Sequence, residues 1–287
     1  MINVEKLLNW PFEEVVQNYT ERDTMLYALG IGLGSDPVDP QQLRFVYERD
    51  LQAFPTMPVV LCHPGPWIGH ADTGVNRKMV VHGEQSITLH KALPPSGTVR
   101  GRTRVTRIVD KGEGKGALVY SERQIADESS GDLIATLSST SFCRADGGFG
   151  GEPGPVKAPH AIPSRQPDLI EELGTITQSA LLYRLNADYN PLHADPELAV
   201  SAGYPRPILH GLCTFGIAAH ALLKRVCNYN ITRLATFSAR FSAPVYPGET
   251  IAVEMWLDGD VVSFLAWVRS RDAKVLDNGR ATINFEK

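Results

Sequence analysis

The sequence predicts a duplicated α+β protein, in which each half combines several antiparallel strands with few helices. Three observations lead to this prediction. Apolar residues recur at every second position, as at Ile251, Val253, Met255 and Leu257, which is typical of half-buried strands. A stretch rich in glycine and proline at 146–168 divides the chain near its middle. Similar patterns of strands and turns occur in the same order in both halves, which indicates a duplication.

The composition limits the classes of partner. The chain has 287 residues, of which 43% are hydrophobic, enough for two domains with sizeable cores. A net charge of −4 gives no reason to expect nucleic acid or an anionic membrane as a partner. The sequence has no bilayer-length apolar run, signal peptide or C-terminal peroxisomal signal, and its four cysteines lack metal-ligand or disulfide spacing. We therefore expect a soluble, cytoplasmic protein without a metal site.

The duplication suggests domain boundaries and one difference between the halves. We expect an N-terminal unit at 1–150, a linker at 151–168 and a C-terminal unit at 169–287. The pairs His82-Gly83 and His210-Gly211 are the proposed anchors of the repeat. In the second half, apolar residues at helical spacing predict a helix over 212–226. In the first half, the segment between Gly83 and Gly97 is too short for the same helix, so we expect a shortened helix there and room for a long or bulky ligand.

A loop between two predicted elements carries an acid, an amide and an imidazole. Asp188, Asn190 and His193 lie in the segment ADYNPLHADPELA, in which Asn190-Pro191 favours a turn. The residues Asp195-Pro196-Glu197 are typical of a helix start, and Gly203 is expected to end that helix. When these residue types are considered alone, a polar turn without function is the favoured interpretation.

The residues that follow this loop favour a catalytic role for it. Gly211 is expected to begin the long helix of the second half, and an N–H group at a helix N-terminus can stabilise an oxyanion. An acid, a base and an oxyanion donor together provide what proton transfer beside a thioester carbonyl requires. The histidines at 63, 70, 90, 160 and 220 have no comparable sequence context, and His210 is expected only to cap the helix or pack.

The segment YRLNADYNPLHADPELAVSAGYPRPILHGLCTFG at 183–216 resembles the hydratase 2 motif of the MaoC-like, (R)-specific 2-enoyl-CoA hydratases. The chain also resembles the hydratase 2 unit found in peroxisomal multifunctional enzymes of type 2. The segments HGEQSITLHKALPPSG, DKGEGKG and GGFGG extend the resemblance through the first half. One departure is Ala187, where the family usually has glycine before the catalytic Asp, and we expect it to tune activity rather than abolish it.

The resemblance implies a double hotdog fold, in which each half wraps an antiparallel sheet around a central helix and the N-terminal helix is shortened. It implies a catalytic C-terminal half and an N-terminal half that binds the acyl-CoA. The residues implied in catalysis are Asp188, His193, Asn190 and Gly211. Those implied in substrate binding are His82, Gly83, Lys111, Tyr189, Pro191, Leu192 and Phe241. No external cofactor is implied, since CoA belongs to the substrate, and the expected assembly is a homodimer.

The leading hypothesis is reversible hydration of a trans-2-enoyl-CoA to the (3R)-3-hydroxyacyl-CoA, as in β-oxidation. A second hypothesis is acyl-CoA thioester hydrolysis, which would release free CoA thiol. A third is a non-catalytic acyl-CoA-binding protein, which would be expected to lack Asp188 or His193.

Overall fold

A computed structural model describes residues 2–151, 154 and 158–284. Parts of the predicted linker, at 152–153 and 155–157, and the end of the C-terminal stretch considered as a targeting signal, at 285–287, lie outside the described residues. The strands are β1 Val15–Tyr19, β2 Val80–Leu89, β3 Gly97–Asp110, β4 Ala117–Asp127, β5 Leu133–Cys143, β6 Leu169–Gly174, β7 Leu234–Phe241, β8 Thr250–Asp258, β9 Val261–Val268 and β10 Ala273–Ile283. The α-helices are α1 Val4–Leu8, α2 Glu21–Gly30, α3 Pro40–Leu43, α4 Ser179–Tyr183, α5 Pro196–Ser201 and α6 Gly211–Arg225.

All of these strands form one antiparallel sheet, in the order β1-β3-β4-β5-β2-β7-β10-β9-β8-β6. The first five positions come from the first half of the chain and the last five from the second. From the centre outward both halves have the same order, so that β2 corresponds to β7, β5 to β10, β4 to β9, β3 to β8 and β1 to β6. The pair β2–β7 joins the halves, with Glu84 opposite Arg240 and Thr88 opposite Thr236.

The His-Gly pairs are not equivalent positions of the repeat, and their proposed use as anchors was wrong. His82 and Gly83 lie in β2, beside a bulge between His82 and Glu84, whereas Gly211 is the first residue of α6. A match of two residues carries little information about which positions are equivalent, and the strand order of the sheet contradicts it. Residues 83–97 are therefore strand and turn, rather than the remnant of a helix. The N-terminal half does have a shorter helix, but this is α2, with ten residues against fifteen in α6, and it precedes β2.

Helix α6 forms the core of the C-terminal half. It packs on β6, β7, β8 and β10, and Phe215 contacts Phe237, which stacks on Phe264. Complete burial of side chains of this size stabilises the fold by roughly 1.5–3 kcal/mol each. In the N-terminal half the corresponding position is taken by the buried segment 53–62, which includes a short 3-10 turn, Met57–Val60, against β5. Among the residues that the structure describes, no helix is long and apolar enough to cross a membrane.

Candidate active site

The loop at 187–195 is held by hydrogen bonds between its own residues. Asp188 Oδ1 accepts the Asn190 N–H at 3.1 Å, and Asn190 Oδ1 accepts the Leu192 N–H at 3.1 Å. Asn190 is thereby the N-cap of a 3-10 turn, Pro191–His193, in which proline suits the first position. Asp195 caps α5 as the sequence predicts, accepting from two backbone N–H groups, and that helix ends shortly before Gly203. The residue types of the loop therefore fix its shape before any ligand binds.

His193 has a defined tautomer. Its Nδ1 lies 2.8 Å from the Ile208 carbonyl oxygen, which can only accept, so Nδ1 carries the proton and Nε2 keeps a lone pair. The side chain is 8% exposed, and burial lowers its pKa, although the hydrogen bond to Ile208 and the charge of Asp188 oppose that shift. His193 is therefore a neutral base at neutral pH.

His210 supports this arrangement from behind. Its ring stacks on that of His193 with a centroid separation of 3.6 Å, and its Nε2 donates to the Asp188 carbonyl oxygen at 3.1 Å. Burial, followed by the nearby His193, lowers the pKa of His210 to about 4. The expectation that His210 only caps the helix or packs was therefore incomplete, since its hydrogen bond to Asp188 ties the 187–195 loop to the start of α6.

Ligand atoms of Asp188, His193 and His210 all lie within 4.8 Å of one another, which raises the question of a metal site. One nitrogen of each histidine is already hydrogen-bonded to a backbone carbonyl. The remaining nitrogens belong to rings stacked at an interplanar angle of 26°, so their lone pairs lie in nearly parallel planes. Such lone pairs do not converge on one ion, as a tetrahedral metal requires. The arrangement favours proton transfer over metal binding.

Gly211 lies where α6 meets the seam between the two halves. As the first residue of a fifteen-residue helix it has an N–H group without an intrahelical acceptor. A Cβ at this position would approach the Phe241 ring at 3.2 Å, and Phe241 in turn packs against His82 with ring centroids 4.8 Å apart. Close packing against Phe241 therefore favours glycine at this position, and the N–H lies beside both halves.

A cavity of about 530 Å³ lies between the halves. Seven of the predicted site residues line it, namely Asp188, Asn190, Leu192, His193, Gly211, His82 and Phe241. Its volume is in the usual range for small-molecule sites. The structure therefore brings the loop, the helix N-terminus and the first half together around one space.

Four predicted binding residues are not in the cavity wall. Tyr189 and Pro191 are exposed on the outer side of the loop, and the Arg184 guanidinium lies over the Tyr189 ring at 4.8 Å. Gly83 faces the Thr140 carbonyl on β5. Lys111 is exposed beside the Phe142 ring, with Nζ 4.8 Å from its centroid.

The motifs around Lys111 have a structural explanation. Asp110 accepts the N–H groups of Gly112 and Gly148 at 2.9 and 2.7 Å and that of Gly150 at 3.0 Å. These hydrogen bonds, led by that of Gly148, lower the pKa of Asp110. The segments DKGEGKG and GGFGG are therefore clamped to one another by a carboxylate.

Several residues that line the cavity were not predicted from the sequence. The expectation that His63 lies outside the site was wrong. His63 lines the cavity, and partial enclosure by the cavity wall, followed by the charge of Arg123, lowers the pKa of its imidazole, although the residue remains exposed. His82 also lines the cavity and is exposed to it, and partial enclosure by the cavity wall lowers the pKa of its imidazole. The other missed residues are polar and line the wall, namely Gln85, Thr103, Ser121, Arg123, Ser139, Ser141 and Arg144. The sequence feature that could have indicated them is the unusual polarity of VYSERQI and LSSTS, two stretches that otherwise have the pattern of strands.

Comparison with known proteins agrees with this geometry. The family model for the MFE-2 hydratase 2 N-terminal domain matches residues 17–145, and that for the MaoC like domain matches 159–274. The peroxisomal enoyl-CoA hydratase 2 of Arabidopsis thaliana is 38% identical over 295 residues, covering 96% of this chain and 93% of the relative. The chain belongs to the hydratase 2 family of MaoC-like proteins. The resemblance predicted from the loop and the flanking motifs is thereby confirmed.

Solved structures extend the comparison from sequence to fold. The crystal structure of a MaoC-like dehydratase from Phytophthora capsici superposes with a TM-score of 0.86 at 38% identity, and all of both chains is covered. A Mycobacterium tuberculosis protein with a double hotdog fold superposes with a TM-score of 0.55 at 15% identity, covering 94% of this chain and 96% of that one. The latter similarity concerns the fold alone. Together with the ten-stranded sheet, it confirms the predicted double hotdog architecture of this hydratase 2 family member.

Proposed function

We propose that this protein catalyses the reversible hydration of a trans-2-enoyl-CoA to the (3R)-3-hydroxyacyl-CoA. The observation that carries the proposal is the convergence of Asp188, the unprotonated Nε2 of His193 and the Gly211 N–H on one cavity. The similarity to an enoyl-CoA hydratase 2 and to a MaoC-like dehydratase supports it, since these names refer to the two directions of one reaction.

The geometry supplies each part of the reaction. Asp188 and His193 hold one water, and His193 Nε2 accepts its proton as the oxygen attacks C3 of the enoyl group. The negative charge that grows on the thioester oxygen is stabilised by the Gly211 N–H and the positive end of the α6 dipole. A proton from the Asp188–His193 pair then adds at C2. The net change is the addition of one water, so no redox partner or external cofactor is required.

The two halves have different tasks in this proposal. The N-terminal half has no counterpart of the Asp188–His193 pair, and it contributes His82 and the wall of β2–β5 to the cavity. It therefore binds the acyl group while the C-terminal half reacts. We further propose a homodimer and a cytoplasmic location, as the sequence led us to expect, and light scattering on the purified protein would establish the assembly.

The test is a spectrophotometric assay with trans-2-enoyl-CoA esters. We expect loss of the absorbance of the conjugated thioester, without release of free CoA thiol. The product should be oxidised by a dehydrogenase specific for (3R)-3-hydroxyacyl-CoA and not by one specific for the (3S) form. Release of thiol would identify a thioesterase instead, and binding of the ester without turnover would identify a non-catalytic acyl-CoA-binding protein.

A further inference from the structure

The N-terminal wall of the cavity is polar where the corresponding face of the C-terminal half is apolar. Ser121 of β4 lies opposite Ser139 of β5, which lies opposite Gln85 of β2, and the two serine hydroxyls are 2.9 Å apart. In the C-terminal half, Val262, Phe264 and Ala266 of β9, the counterpart of β4, are buried in the apolar core. A cavity for a purely hydrocarbon chain does not require this row of polar side chains.

Arg123 lies at the centre of this wall, next to Ser121 on the same face of β4. Its Nη2 donates to the Val59 carbonyl at 2.7 Å and its Nη1 makes a long contact of 3.4 Å with the Cys62 carbonyl. Its Nε is buried without an acceptor. Within residues 2–151, 154 and 158–284, no carboxylate lies within 4.0 Å of its guanidinium. By contrast, Arg100 on the neighbouring strand is paired with both Glu14 and Glu128.

A charged guanidinium held in this wall without a counter-ion lowers the stability of the protein, unless a bound ligand supplies the opposite charge. Burial lowers the pKa of Arg123 to about 10, so the group remains charged at neutral pH. The imidazole of the nearby His63 is either neutral or positively charged, so it supplies no counter-ion. A structural role in holding the 57–62 segment needs only a neutral donor to the Val59 carbonyl. The positive charge itself therefore requires another explanation.

We propose that the acyl group of the substrate carries a second carboxylate, which pairs with Arg123 in the N-terminal wall of the cavity. Gln85, Ser121 and Ser139 would hydrogen-bond to the same group or to water around it. Arginine suits this role because its planar fork matches a carboxylate with two parallel hydrogen bonds. The inference names the substrate class of the proposed hydratase and rests on that function.

The test compares trans-2-enoyl-CoA esters that are matched in chain length and end in either a methyl group or a carboxylate. At the optimal length we expect kcat/KM to be about 10- to 100-fold higher for the carboxylate ester, the usual effect of a hydrogen-bonded charge. Arg123→Gln keeps a donor for the Val59 carbonyl but removes the charge, and it should abolish the preference. Arg123→Lys should retain part of it. Equal kcat/KM for both esters, or an equal loss with both in Arg123→Gln, would overturn the proposal.

A binding measurement separates this inference from the proposed reaction. Saturated acyl-CoA esters of the two kinds cannot be hydrated, so calorimetric affinities report recognition alone. Tighter binding of the carboxylate ester by the unmodified protein, lost in Arg123→Gln, would support the pairing even if no hydration were found. Hydration of enoyl esters with no difference in affinity would leave the hydratase in place and exclude the carboxylate site.

Discussion

At the residue scale, the two stacked histidines, His193 and His210, have different surroundings. Each donates to a backbone carbonyl, His193 to Ile208 and His210 to Asp188, and the other nitrogen of His210, Nδ1, is buried without a hydrogen-bond partner. The acid and the base are thus positioned by hydrogen bonds to main chain, which a change of ligand does not disturb. This is the arrangement expected of groups that act as a unit.

The first prediction concerns that unit. Asp188→Asn keeps an oxygen for the Asn190 N–H but cannot accept or return a proton, and His193→Ala removes the base. Each should lower kcat by roughly two to four orders of magnitude, with little change in KM. The double variant should be no worse than the worse single variant. Circular dichroism would confirm folding, and near-full activity of a folded Asp188→Asn protein would contradict the mechanism.

A second prediction concerns the residue just before the acid. Ala187 has φ 92°, a conformation that costs an L-residue about 1–2 kcal/mol and glycine very little. Part of the stability that glycine would gain at this position is offset by its larger conformational entropy in the unfolded chain. Ala187→Gly should therefore raise the free energy of unfolding by about 0.5–1 kcal/mol, measured in urea. A lower free energy of unfolding would show that the methyl group makes contacts that outweigh the strain.

The residues of this loop also show what the sequence could predict of the site. The spacing of Asp188, Asn190 and His193 and the glycine at 211 were sufficient to find residues that line the cavity, because they are close together in the chain. His63 and Arg123 were not found, because they reach the cavity only when β4 and the 53–62 segment are brought against the second half. Non-local packing of this kind leaves no short motif.

At the element scale, α6 connects the two halves as well as forming a core. A Cβ on Gly216 would lie 2.5 Å from Ile31 Cγ2 and 3.1 Å from Tyr27 Oη, both contributed by the first half. The amphipathic pattern at 212–226 predicted the helix correctly, with bounds shifted by one residue. It did not predict that one face of the helix touches the region of α2, since periodicity indicates burial but not the partner.

A third prediction follows from that contact. Gly216→Ala should lower the free energy of unfolding by about 1–2 kcal/mol, because the overpacking against Ile31 exceeds the gain in helix propensity. Gly174→Ala is the matched control, since a Cβ there meets no atom nearer than 4.0 Å. Urea unfolding would measure both variants. Equal stability of the two would indicate that α6 and the Ile31 segment can separate without cost.

At the scale of the whole molecule, buried histidines make stability depend on pH. Burial lowers the pKa of His210 and His220 to about 4, below the value near 6.5 expected in the unfolded chain. Between these values the unfolded chain binds more protons than the folded one. The free energy of unfolding should therefore be fully present above about pH 6.5 and fall as the pH drops toward 4.

The fourth prediction is that the free energy of unfolding decreases between pH 7 and pH 4, as measured by urea unfolding. His220 is completely buried, so His220→Gln should reduce the slope of stability against pH. Replacement of the exposed His90 by Gln is the control and should leave the slope unchanged. A flat profile in the unmodified protein would show that these histidines are protonated without unfolding.

The single sheet that passes from β2 to β7 has a consequence for how such a molecule could come to exist. In a dimer of identical subunits related by a two-fold axis, every side chain occurs twice. A substitution that suits one site is therefore also present in the other. Covalent fusion removes that constraint. One half can keep a long helix and the 187–195 loop, while the other has a shorter helix and an arginine in the cavity wall. The seam between β2 and β7 thus joins two halves whose residues can differ at every corresponding position.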